Sequence, residues 1–220
     1  MQPTRAAWFF VAGLAWLVLR GIVGASVPAL SAASVARNGG LLLIIPLCSV
    51  LASATIPLFF GSFLRHHSFA GQRALRGATL VALVASALSL ALVVVSLIAI
   101  SGGTSLVPPP KDHPMGWVVA VIPAFFVGAL LVFLVAFARQ CPCDPALRRA
   151  AWVAAVGALV PAVMMVAASV HSRFPDVMSW LPGVSSTLIY KGLGLAAAAT
   201  LLWFAETFAV RYGVVENDSV

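Results

Sequence analysis

A helix that crosses a bilayer needs about 20 mostly apolar residues. This chain of 220 residues contains six such stretches, about 8–30, 41–64, 78–100, 115–138, 150–170 and 187–210. They are apolar on every side, so they do not resemble barrel strands, which alternate apolar and polar residues over roughly ten positions. Composition closes the remaining routes. Charged residues are 9% and hydrophobic residues 62% of the chain, whereas a soluble domain carries roughly 25% charge. A water-soluble surface cannot be built from this chain, and its apolar content excludes a disordered one. The sequence predicts an all-α, polytopic transmembrane bundle of six spans, with residues 1–220 forming a single integral membrane domain.

Orientation follows from Lys and Arg in the short connections. With six spans both termini share one side. That side carries Arg5, Arg65, Arg73, Arg76, Arg139, Arg148, Arg149 and Arg211, and the other carries Arg37, Lys111, Arg173 and Lys191. The bias predicts cytoplasmic termini in a plasma (inner) membrane. Trp8 and Trp152 near one edge and Trp117 and Trp180 near the other agree with interfacial belts. A second reading treats Met1–Arg5 as the basic region of a signal peptide and Ala6–Leu19 as its apolar region, cleaved near Ser34 and Ala36 and leaving five spans. Arg20 directly after that apolar region, and the apolar stretch beyond it, argue for a retained span. The net charge of +7 is mainly this topology signal. It favours anionic lipid as a neighbour and offers no folded basic face for nucleic acid.

A faint hairpin repeat relates spans 2–3 to spans 4–5. Ile45-Pro46 matches Ile122-Pro123, Phe63-x-Arg65 matches Phe137-x-Arg139, and Ala74-Leu75-Arg76 matches Ala146-Leu147-Arg148. The competing reading is low complexity, since Ala- and Leu-rich helices ending in Arg align easily. Pro28, Pro46, Pro57, Pro123 and Pro161 fall inside spans, where prolines are tolerated as kinks. Two outer loops have character: Ser101–Pro114 holds Gly102-Gly103 and Pro108-Pro109-Pro110, and His171–Ser186 holds Phe174, Trp180 and two prolines. Either is an ordinary connection or a partner surface.

Charge inside the membrane is the sharpest chemical signal. Arg20 is the base placed well within a span, and Glu206 is the acid. Each costs about 2.5–3.5 kcal/mol at the bilayer centre on insertion scales, so such residues tend to face protein and pair. Helical side chains lean toward their own N-terminus, which inclines the two toward each other. An Arg20–Glu206 pair joining the first and last spans is therefore expected, with separate snorkelling as the alternative.

Other chemistry is sparse. His66 and His67 in one basic-side loop, with Cys141 and Cys143 in the other, could converge on zinc or copper. The Cys-x-Cys spacing is tight for a zinc finger, and solvated loop residues are the plainer reading. His113 and His171 are the positions open to an outer-surface haem or metal. Cys48 reads as a small apolar filler. No metalloprotease motif, nucleotide-binding loop or acidic cluster is present, so the sequence favours a non-enzymatic protein that requires no cofactor. Two functions remain. One is a non-catalytic subunit or assembly partner of a membrane complex, bound to other membrane subunits or to copies of itself. The other is a small permease or channel using Arg20 and Glu206, with Ser49, Ser53, Thr55, Ser86 and Ser89 as its modest polar stripe. A membrane enzyme ranks third.

Overall fold

A computed structural model describes residues 3–26, 39–101, 114–140, 144–173 and 187–217. They form six helices: α1 (Pro3–Ser26), α2 (Gly39–His66), α3 (Arg73–Ser101), α4 (Pro114–Gln140), α5 (Pro145–Arg173) and α6 (Thr187–Asn217). No strand occurs among the described residues. The protein is a helical membrane bundle. Leu47–His66, Arg73–Val95, Val121–Gln140 and Gly192–Tyr212 are long and apolar enough to cross a bilayer, and α1 and α5 pack beside them. Several expected boundaries shift. α1 begins at Pro3 instead of 8, α3 at Arg73 instead of 78 and α5 at Pro145 instead of 150; α6 continues to Asn217, and α5 continues through Arg173, so His171 belongs to a helix and not to a loop. Residues 27–30 of the first expected span lie outside the described residues.

Every helix packs on its neighbours in the chain, and α1 closes on α6, so the six form a ring. Short connections dictate neighbouring packing. Between α2 and α3, for example, the chain reverses through a turn in which Gly71 has φ +73°, a value L side chains rarely adopt.

Three helices supply the bulk of the core. Phe59, Phe60 and Phe63 of α2, Phe133 and Phe137 of α4, and Phe204 and Phe208 of α6 are fully buried. Phe63, Phe137 and Phe208 meet in a near-equilateral triangle, with centroid separations of 6.0, 5.8 and 5.8 Å. The intervening helices make room by presenting small residues: Ala78, Ala82 and Ala85 from α3, and Ala150, Ala151, Ala154, Ala155 and Ala158 from α5. Lipid is as apolar as a leucine side chain, so helices associate in a membrane through close packing, not through exclusion of water. The small faces of α3 and α5 meet that requirement beside the phenylalanines of α2, α4 and α6, while α1 adds Phe10 and Leu14 to the large side chains of the core.

The order of this core reveals three related hairpins, α1–α2, α3–α4 and α5–α6. Inward positions on the odd helices recur with one spacing: Ala6, Ala78 and Ala150; Ala7, Thr79 and Ala151; Leu14, Ser86 and Ala158. Residues of the Phe triangle occupy corresponding places on the even helices. The helix crossings correspond as well. A Cβ on Gly13 would collide with Thr55 and the Ala52 carbonyl, and a Cβ on Gly157 would collide with Thr200. At the corresponding positions of α3 and α4 both residues are alanine, the buried Ala85 and Ala129. Thr55 and Thr200 even make the same kind of intrahelical hydrogen bond, each hydroxyl donating to the carbonyl three residues earlier, at 2.6 and 2.8 Å. This pattern relates the inward positions of α1, α3 and α5 and groups the helices as α1–α2, α3–α4 and α5–α6, whereas the repeat read from sequence compared spans 2–3 with spans 4–5.

Candidate functional site

The best-defined chemistry gathers where α2, α4 and α6 end and α3 and α5 begin, the end of the bundle rich in arginine. Phe63 stacks on His67 (4.7 Å, 13°) and Phe208 on Tyr212 (4.4 Å, 11°), so the aromatic column finishes in two polar rings. His67 Nδ1 and the Tyr212 hydroxyl lie 2.5 Å apart, and His67 Nε2 lies 3.0 Å from Gln72 Oε1. The Gln72 oxygen can only accept, so Nε2 carries the proton and donates. In the neutral ring Nδ1 then accepts from the Tyr212 hydroxyl. Both ring nitrogens are engaged within the protein.

The same end fastens two helix N-termini, whose first N–H groups have no partner within their helix. Gln140 of α4 accepts from the Leu75 N–H at 2.9 Å and so caps α3. Asp144 accepts from the Ala146 N–H at 2.9 Å and so caps α5, and its other oxygen pairs with Arg211 of α6. The Ala146 N–H, followed by Arg211, holds the Asp144 carboxyl below its ordinary value of 3.8. Asp144 precedes α5 as Gln72 precedes α3, and the backbone carbonyl of each accepts from the N–H four residues on, Arg148 and Arg76, while their side chains serve different ends.

Of the residues singled out from sequence, Glu206 is the most informative. Its side chain is exposed on α6, on the face that also exposes Gly192, Ala196, Ala199, Trp203 and Val210. These recur at three- and four-residue steps and form one stripe pointing away from the ring. Among the described residues Glu206 has no hydrogen-bond or ion-pair partner. The side chain of Arg20 lies outside the described residues, and with it the expected pair.

His66 is exposed at the end of α2, its Nδ1 2.9 Å from the Ser62 carbonyl oxygen. Cys141, Cys143 and His113 lie outside the described residues, as does the side chain of His171. Among the described residues no three His, Cys, Asp or Glu side chains cluster as metal ligands. Ser53, Thr55 and Ser86, part of the polar stripe read from sequence, each donate to a carbonyl of their own helix.

Tyr212, Gln72, Gln140 and the Asp144–Arg211 pair are missing from the sequence reading. One signal for Tyr212 was present: it follows Phe208 by four residues, as His67 follows Phe63. No known protein family, curated protein or solved structure shows detectable similarity to this chain.

Proposed function

We propose that this protein is a non-catalytic subunit of a membrane complex, and that the outward stripe of α6 receives a helix of a partner subunit. The observation that carries this reading is Glu206. A carboxylate within a span is costly unless it is paired or neutralised. Here it faces away from its own bundle, beside small residues that let another backbone approach closely. A partner helix bearing a basic or hydrogen-bonding side chain at that depth would satisfy it. A symmetric homodimer on this face would bring two Glu206 side chains together, and neighbouring carboxylates resist joint ionisation. A different subunit is therefore the better match.

The permease reading receives no comparable support. Phe63, Phe137 and Phe208 fill the axis along which a solute would travel. Ser53, Thr55 and Ser86 of the expected polar stripe donate to carbonyls of their own helices. We take the arginine-rich end to face the cytoplasm, on the Lys and Arg bias alone.

The test is native mass spectrometry of the protein released gently from its own membrane. Wild type is expected as a hetero-complex of defined mass. Ala199→Trp, which blocks the stripe, should release it, while the melting temperature of the isolated protein stays within a few degrees. A wild-type protein that emerges only as a bare monomer would overturn the proposal and return attention to transport.

A further inference from the structure

Beside the start of α3 lies an open groove of about 680 Å³, lined by Leu64, Phe69, Arg73, Arg76, Gly77 and Leu80. Arg73 and Arg76 stand three residues apart, hence on one side of the helix. Both are exposed, and neither forms an ion pair among the described residues. Leucine and phenylalanine side chains form the apolar walls. The groove joins two cations to an apolar channel at one end of a membrane bundle.

The internal repeat explains why the groove is open here. The positions of Gly77 and Leu80 correspond to Arg149 and Trp152 in the third hairpin and to Arg5 and Trp8 in the first. Between α4 and α5 the Arg139 guanidinium lies over the Trp152 ring, 5.9 Å from its centroid, a cation–π contact that covers the equivalent surface from within. At the groove Leu80 stands in place of the tryptophan, so Arg65, the counterpart of Arg139, has no ring there to cover, and Gly77 stands in place of Arg149. A Cβ placed on Gly77 would meet no heavy atom within 4 Å. The second hairpin thus has an open cleft where the third has an internal contact, and it keeps two free arginines there.

We propose that this groove holds one anionic phospholipid, its phosphate between Arg73 and Arg76 and an acyl chain along Leu64 and Leu80. Charge complementarity selects the headgroup, and the apolar walls select a lipid over a free anion. Basic pockets between spanning helices recognise anionic headgroups in this way.

The experiment uses the full chain in nanodiscs of phosphatidylcholine with a minor fraction of phosphatidylglycerol, and counts lipids retained on release by native mass spectrometry. Wild type should retain one phosphatidylglycerol in preference to phosphatidylcholine. Arg73→Gln with Arg76→Gln should weaken that retention about ten- to thirtyfold, the effect of two interfacial cations. Gly77→Leu with Leu80→Trp fills the cleft without altering charge and should abolish retention as well. Retention that survives filling but not arginine removal would mean diffuse attraction and would overturn the proposal. Competition by millimolar inorganic phosphate would mean a free-anion site and would also overturn it. The preference for phosphatidylglycerol is measured on wild type too, so a variant that fails to fold leaves the proposal testable. Equal retention of both lipids by wild type would sink it.

Discussion

Tyr212 donates its hydroxyl hydrogen to Nδ1 of His67 across 2.5 Å, although the two residues are 145 apart in sequence. The bond ties the end of α6 to the end of α2, and the aromatic rings beneath each partner hold the geometry. Tyr212→Phe should keep the stacking on Phe208 and leave His67 Nδ1 without its donor. The expected loss is about 1–2 kcal/mol, the usual cost of a broken hydrogen bond with one partner left behind. Reversible unfolding in mixed detergent micelles would show it. A loss below about 0.3 kcal/mol would mean that water replaces the hydroxyl.

The crossing of α5 and α6 gives a prediction with its own rescue. Gly157→Ala should destabilise by about 1–3 kcal/mol through overpacking against Thr200. Thr200→Ala should restore most of that loss, because alanine on both helices is the arrangement already present at Ala85 and Ala129. A double-mutant cycle should therefore show strong coupling. Additive effects would refute the correspondence between the hairpins.

Within the aromatic column, Phe63 touches rings of α4 and α6 together with His67 and Tyr212. Phe63→Ala should cost about 2–4 kcal/mol. That lies below the 3–5 kcal/mol typical of a soluble core, because the cavity and contact losses remain while the benefit of leaving water is largely absent. Phe137→Ala and Phe208→Ala, at the other corners of the triangle, should cost similar amounts. A loss confined to one corner would argue against a shared axis.

Asp144 makes stability depend on acid. Its carboxyl is held below 3.8 in the folded protein by the Ala146 N–H and Arg211, so folding favours the ionised form. The resulting stabilisation is present in full above the unfolded value and disappears as pH falls through the lower folded value. Wild type should lose melting temperature in that acidic window faster than Asp144→Asn. Parallel pH profiles would show that neither the cap nor Arg211 contributes.

The hairpin pattern was only half legible in the sequence. Phe63-x-Arg65 and Phe137-x-Arg139 match residue for residue, but the third copy reads Phe208-x-x-Arg211, with one residue inserted. In α1 the inward position matching Ala82 and Ala154 is Phe10, a different size class. Short apolar words in Ala-rich helices carry little information, so these departures conceal a relation that burial makes plain. Glu206 shows the complementary limit. Its place in a span can be read from hydropathy, but its outward face cannot, because α6 is apolar on all sides and has no amphipathic stripe to orient it.

Hydropathy alone therefore determined that this chain is helical and membrane-embedded, because an unpaired backbone in lipid is prohibitively costly and long apolar runs have few other solutions. Lys and Arg placement marked which helix ends share a side. Only the tertiary structure decided which face of each helix turns inward, and hence that three phenylalanines meet on one axis, that Glu206 faces outward and that one cleft stays open beside Arg73 and Arg76. Those choices depend on side-chain volume and close packing between helices. A lipid solvent distinguishes little among apolar faces, so hydropathy carries no record of them.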